Sequence, residues 1–420
     1  MDKRQAVSKF LSEISSRPAL EIEMLKELVN NKKSFIMVNG VFFERDKTYF
    51  ELEKECLKAI YKDKKYSPSL ISDEEIKSLL RKFVANQSKS QQNETTAFFK
   101  SLNEKVERKF LYILPNHSLE LSDHVKDFQI GPVRCTRAGD LRAELSNFNL
   151  ISDPIKRGLE IADGIATYFI SEQCYEFQLE CSHEMARSQA QWYVDIALSI
   201  FRLFSCIEKA HSNMFPKVGE TDPASFIEKQ SVEAAITIDS LKKEAMGGGW
   251  AIVPKYEVYP STVELFEKSK FKEIAIEIFD IELNTLKSNL QRMLGWMTKA
   301  RASEDLATRF LMFFTALEAL LSNNDKSAPI TDTIARNVST IVSTVENRYA
   351  TATRVKELYG IRSQLVHSGM RDVSLDDCRE LQILTEMTCT CVLMNAFNQD
   401  RESFHSDLRK AGFGLAWPIQ

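Results

Sequence analysis

Apolar positions repeat along this chain with two different periods, and the change from one to the other divides it. In SFIMVNGVFF (34–43) a β-rich run is interrupted at its middle by Asn39-Gly40, the pair favoured by a two-residue type I′ turn, so a hairpin is expected. KFLYILP (109–115) and FQIGPVRC (128–135) read as two more strands. EKECLKAIYK and DEEIKSLLRKF, lying between the hairpin and these strands, carry the 3.6-residue spacing of amphipathic helices. Residues 1–150 therefore read as a mixed α/β domain, with the polar tract ANQSKSQQNETT (85–96) as a loop inside it.

From about Asp153 the text turns helical. IKRGLEIADGIATYFISE and EMARSQAQWYVDIALSIFRLFSCIEKA read as core-forming helices separated by a short break near Cys181, which makes 151–270 a helical middle region. Residues 271–412 hold five successive helical texts: 271–302, 303–324, 329–347, 351–369 and 374–399. Ser303, Thr331 and Ser374, each followed by acidic residues, read as N-caps, and Gly369 reads as a C-terminal stop. Short connections make these helices antiparallel neighbours. The expected fold class is mostly α: an α+β N-terminal domain, a helical middle region and a C-terminal all-α helical bundle.

The chain has 420 residues, 44% hydrophobic and 27% charged, which excludes a disordered or collagen-like protein. Its net charge of −4 excludes a global basic field, so any nucleic-acid site has to be local. Residues 1–110 carry 22 Lys and Arg against 17 Asp and Glu, a mild basic surplus. The opening MDKRQAVSKFLSEISS has no apolar signal region, and the most apolar stretch, Tyr193 to Ile207, contains Asp195 and Arg202. A cytoplasmic protein with no membrane span and reduced cysteines is expected. Cys174, Cys181 and His183 form no compact zinc spacing and read as buried thiols with a nearby histidine, so neither metal nor cofactor is expected. The three glycines of MGGGWAIVPKYEVYPST (246–262) lack the Lys-Ser/Thr of a phosphate loop and read as a connector.

Two charges sit on apolar stripes. Arg362 shares a helical face with Leu358 and Tyr359 before it and Leu365 and Val366 after it, while Glu318 lies on the stripe of Leu311, Phe314 and Leu321. The economical reading is an ion pair across a helical core, since an isolated charge on either stripe is costly. His367 ends the same helix as Arg362, just before Gly369, where the helix dipole favours the protonated ring. Five residues advance about 500°, so Arg362 and His367 point roughly 140° apart and converge more easily when two copies of the helix meet.

R-S-Q-L-V-H (362–367) resembles the R-x4-6-H motif of the HEPN superfamily, and the order of its surroundings is similar to the ApeA-like HEPN family. Those surroundings are a helix ending near Trp296, RFLMFFTALEALLS with Glu318, DTIARNVSTI, then LYGIRSQLVHSG. The resemblance covers about 280–410. It implies an all-α domain that dimerises and cuts RNA without metal, as the endoribonucleases of toxin, CRISPR and phage-defence systems do. It further implies His367 as general base or acid, Arg362 on the phosphate, Glu318 orienting Arg362, and Ser363 assisting where many active members carry Asn, Asp or His. Arg354 and Lys356 are the expected RNA-binding cations beside the motif, and residues 1–270 the expected sensor for a trigger molecule or regulatory protein. The alternatives are a non-catalytic HEPN dimer that binds nucleotide or a protein partner, and a helical scaffold in which Glu318 and Arg362 are structural.

Overall fold

The computed structural model describes residues 2–17, 35–38, 41–84, 91–116, 118–137, 140, 173–207, 235–239, 244–248, 256–279, 285–303, 305–322, 329–369 and 371–418. The chain is mostly helical, and among the described residues the short strands lie before residue 259. It divides into two compact units, residues 1–112 with 178–190, and residues 113–177 with 191–420. That division differs from boundaries near 150 and 270 drawn from composition.

The first unit is built on α1 (Lys3–Ser15), the hairpin β1 (Phe35–Val38) and β2 (Val41–Glu44), α2 (Lys47–Tyr61), α3 (Asp73–Val84) and α4 (Gln91–Val106). Its helices begin where the side chains can cap them. Asp2 and Gln5 form a capping box on α1, and the Asp46 carboxylate accepts from the Tyr49 amide at 2.8 Å on α2. Ala6, Val7, Phe10, Leu11 and Ile14 bury one face of α1 against Tyr49, Cys56, Ile76, Leu80 and Phe98. The hairpin pairs Val38 with Val41 as the Asn-Gly signal implies, although the two turn residues lie outside the described residues. Half of the tract read as a loop, residues 91–96, is instead the start of α4, and 85–90 lie outside the described residues.

In the second unit FQIGPVRC is a hairpin rather than a strand. β5 (Asp127–Ile130) and β6 (Val133–Arg137) pair Ile130 with Val133 across Gly131-Pro132. Gly131 has φ +60°, and a Cβ there would meet the Ala275 carbonyl oxygen at 2.3 Å, so only glycine fits this first central position. The break expected near Cys181 follows a further strand, β7 (Gln173–Glu180), whose register sets Cys135 opposite Tyr175. The strand order is β3-β7-β6-β5, with β3 at Lys109–Pro115. β4 (Leu119–Leu121) pairs in parallel with β10 (Tyr256–Val258), and β8 (Ala235–Asp239) pairs antiparallel with β9 (Glu244–Gly248), so the middle region is mixed rather than purely helical. Gly247 and Gly248 belong to β9, while Gly249 and the helix expected over 155–172 fall outside the described residues.

α5 (His183–Ile207) is long and apolar enough to cross a membrane by composition, and two thirds of its most apolar window is buried in protein. Its charges explain themselves there. Asp195 and Arg202 belong to a polar layer shared with α8 (Leu286–Ala302): Thr298 Oγ1 donates to the Asp195 carbonyl at 2.6 Å and accepts from Arg202 Nη1 at 2.9 Å. Burial and the neighbouring Arg301 charge push the Arg202 guanidinium down to about 9. Cys174 and Cys181 are buried thiols, pushed up to about 12 and about 11 by burial first and nearby carboxylates second.

The text 271–302 holds two helices, α7 (Lys270–Glu277) after α6 (Pro260–Lys268), then α8. They are followed by α9 (Leu306–Leu321), α10 (Ile330–Val342), α11 (Arg348–Ser368), α12 (Leu375–Asn395) and a helix the pattern did not announce, α13 (Arg401–Gly412). The caps differ in detail from expectation. Asp305 rather than Ser303 caps α9, accepting from the Thr308 amide at 2.9 Å, and α10 starts directly after Pro329 rather than at Thr331. Ser374 does cap α12, and Gly369 closes α11 with φ +69°. Three arginines finish helix C-termini: Arg309 donates to the Ser303 carbonyl, Arg401 to that of Ser322 and Arg348 to that of Ala411. Arg301 and Glu386 form a buried pair at 2.6 Å that ties α8 to α12.

Candidate functional site

α11 is buried over only part of its length. Val355, Leu358 and Tyr359 reach the core, whereas Leu365 is half-buried and Val366 is 50% exposed. The apolar stripe expected to run past Arg362 on both sides therefore stops at Tyr359, and Arg362 stands at the margin of the core rather than inside it. Its side chain is 25% exposed and that of Glu318, on the last turns of α9, is 21% exposed.

The two do meet. Arg362 Nη2 lies 3.3 Å from Glu318 Oε1 and 3.4 Å from Oε2. A third group completes the arrangement: the Tyr359 hydroxyl donates to Glu318 Oε1 at 3.0 Å, and the Arg362 guanidinium stands over the Tyr359 ring, 5.3 Å from its centroid. Phe314 of α9 packs edge-on against the same ring at 5.3 Å. Burial, and after it the Glu318 charge, holds the Tyr359 hydroxyl above its ordinary pKa, so it remains a donor at neutral pH. Sequence reasoning placed Tyr359 only on the apolar stripe. The signal was available, because a buried tyrosine one turn from a buried-face arginine needs a partner for its hydroxyl.

One carboxylate thus anchors a guanidinium from below and is itself fixed by a phenol. Arg362 spends Nη2 on Glu318, and its Nε and Nη1 donate to no other group among the described residues. These N–H groups form a planar fork of the kind that binds an oxyanion. Ser363 is half-buried beside it on α11. His367 is exposed at the end of the helix, with no hydrogen bond to another described residue. Within one chain it turns away from Arg362, as the spacing requires.

Arg354 and Lys356 are not brought to this group. Arg354, eight residues before Arg362, is held by three carboxylates, Asp377 at 2.5 Å, Glu380 at 2.8 Å and Glu357 at 3.0 Å, which raise its pKa above the usual arginine value, the Glu380 hydrogen bond most. Lys356 pairs with Asp332 of α10 at 2.6 Å. Both cations are matched by charges of this chain, and their role in the structure is to tie α11 to α12 and α10. No cluster of three or more His, Cys, Asp or Glu side chains able to hold a metal ion occurs among the described residues.

Comparison of the chain with protein-family models, with curated proteins and with solved structures finds no match.

Proposed function

We propose that the chain is an endoribonuclease of the HEPN type that cuts RNA by attack of the ribose 2′-hydroxyl and acts as a regulated toxin or phage-defence effector in the cytoplasm. The observation that carries this reading is Arg362: anchored through one nitrogen by Glu318 and Tyr359, it offers its remaining donors at a partly open surface. The chemistry asks for three things. A base must take the 2′-hydroxyl proton, a cation must stabilise the phosphorane charge as it grows, and an acid must protonate the departing 5′-oxygen. His367 supplies proton transfer, Arg362 the charge, and Ser363 a further hydroxyl donor. The products are a 2′,3′-cyclic phosphate and a 5′-hydroxyl, and DNA, lacking the nucleophile, is not cut.

The divergence of Arg362 and His367 along one helix is what makes a homodimer part of the proposal. When the exposed C-terminal half of α11 faces its own copy, the histidine of one chain comes to the arginine of the other, and two histidines provide base and acid together. Residues 1–270 then hold the part that senses a trigger or a regulatory protein.

The test is RNA cleavage in excess EDTA by the wild type, His367→Ala and Arg362→Ala, with RNA ends mapped in cells under the condition that makes the wild type toxic. Loss of toxicity and of cyclic-phosphate ends in both variants is expected. Identical toxicity and identical ends from wild type and His367→Ala would overturn the nuclease reading in favour of a non-catalytic dimer that binds nucleotide or a protein partner.

A further inference from the structure

The N-terminal end of α11, away from Arg362, meets the end of α13. Arg348, the first residue of α11, donates through Nη1 to the Ala411 carbonyl at 2.6 Å, and a Cβ added at Gly412 would lie 3.2 Å from Arg336 Cδ of α10. Three helices therefore converge on the last turn of α13. Beyond it the chain reverses: Gly414 has φ +103°, and the half-buried Trp417 ring packs edge-on against Phe404 of α13, 6.4 Å between centroids. The segment 412–416 is thus held at both ends, by the Ala411 contact and by Trp417.

What this held segment presents is apolar and uncovered. Phe413 is 92% exposed and Leu415 55%, while on the α11 side of the same contact Tyr349 is 84% and Val345 42% exposed. Single exposed apolar residues are ordinary, but four on two segments joined by one hydrogen bond form a patch. Rings so exposed touch little of their own chain, so Phe413 and Tyr349 stand out from the surface rather than line a groove. Around them Arg336, Arg409 and Lys410 are exposed and Arg348 is half-buried, four cations against the carboxylates of Glu346 and Asp407. Asp407 pairs with Lys410 at 3.4 Å, and neither Arg336 nor Arg409 has a carboxylate partner among the described residues. The negative end of α13 accounts for cations gathering at its last turn. It does not account for Phe413 and Tyr349.

We propose that this end of the second unit attaches to an anionic lipid membrane, with Phe413, Leu415 and Tyr349 entering the bilayer interface and Arg336, Arg409 and Lys410 facing the headgroups. Shape and charge together name the occupant. A protein partner has to supply a fitted pocket for each projecting ring, whereas a bilayer deforms around them, and aromatic side chains favour the headgroup level. The surplus of cations draws anionic headgroups, each Lys or Arg near the surface adding to the attraction. The proposal goes beyond the cleavage reading and does not rest on it, because attachment is measured without RNA.

The experiment is co-sedimentation of the full chain with vesicles of phosphatidylcholine alone and of phosphatidylcholine with about one third phosphatidylserine. The second should bind at least about tenfold more tightly, and high salt should remove the difference. Phe413→Ser should weaken binding at least about tenfold, and Arg409→Gln and Lys410→Gln about fivefold each. All three positions are exposed, so circular dichroism should be unchanged. In a Phe413→Trp protein, lipids brominated on their acyl chains should quench emission more than they do in the wild type, which reads insertion directly. Equal sedimentation of wild type and Phe413→Ser, or none with anionic vesicles, would overturn the proposal. In the latter case, a dimer that becomes a monomer in Phe413→Ser would assign the patch to a second copy, and binding of soluble polyglutamate that Phe413→Ser weakens would assign it to an acidic protein.

Discussion

Replacing Glu318 by alanine tests the central contact. Because Arg362 and Glu318 are 25% and 21% exposed, their pair stands between a surface pair worth about 0 to 1 kcal/mol and a buried one whose breaking costs about 3 to 5 kcal/mol. In Glu318→Ala the guanidinium keeps access to water, so about 1 kcal/mol is lost with the pair itself. The larger effect falls on Tyr359. At 7% exposure its hydroxyl loses its acceptor, which adds about 1 to 2 kcal/mol. A total of roughly 2 to 3 kcal/mol follows, against less than about 0.5 kcal/mol for His367→Ala at its exposed site. Glu318→Gln keeps an oxygen for the hydroxyl and should cost only about 1 kcal/mol.

Trp192, Trp296 and Trp417 belong to the second unit, so urea unfolding followed by tryptophan emission reports on the unit that holds the site. Combining Glu318→Ala with Tyr359→Phe should give a coupling of about 1 kcal/mol, because the phenylalanine has no hydroxyl to strand. If Glu318→Ala costs no more than His367→Ala, or if Glu318→Gln costs as much as Glu318→Ala, the anchoring of Glu318 by Tyr359 is wrong.

His405 gives a pH dependence. Its folded pKa of about 4 lies below the unfolded value near 6.5, so its neutral form contributes fully above pH 6.5 and the contribution is lost as pH falls toward 4. The wild type should lose about 2 kcal/mol more than His405→Gln between pH 7 and pH 5, and parallel pH profiles would contradict this. The full chain should be a dimer by light scattering at tens of micromolar, and Val366→Glu, at a 50% exposed position, should yield a monomer with unchanged circular dichroism; a monomeric wild type refutes it.

The sequence made visible those features whose causes are local. Asn39-Gly40 marks a hairpin, Ser374 and Gly369 mark helix ends, and the opposed charges Glu318 and Arg362 mark a pair because each violates its own stripe. FQIGPVRC misled because β5 and β6 are so short that together they have the length of one ordinary strand, and only the glycine at the first turn position betrays the reversal. β7 alternates apolar and polar residues from Tyr175 to Glu180, with Tyr175, Phe177 and Leu179 buried, so a strand signal was present there beside the longer helical texts. Pairings such as Arg202 with Thr298 or Arg301 with Glu386 join helices far apart in sequence, and no periodicity within either helix names the partner. Arg354 and Lys356 looked available for RNA because their carboxylate partners lie on other helices or turn back from their own.

Gly360 tests whether the open half of α11 is used. It lies inside a 21-residue helix, two positions before Arg362, and a Cβ there would meet nothing within 4 Å. A glycine in an exposed helix interior costs about 0.5 to 1 kcal/mol relative to alanine, and neither positive φ nor close packing within the chain requires one here. Taken alone, Gly360→Ala should therefore stabilise the chain by that amount. Glycine has a physical reason at this position when another backbone, from a second α11 or from RNA, approaches closer than a methyl group permits. On the proposed dimer, Gly360→Ala raises the urea midpoint of the monomeric Val366→Glu background and at the same time weakens dimerisation or RNA cutting in the otherwise wild-type chain. Stabilisation without any change in assembly or cleavage would place the working surface elsewhere on the helix.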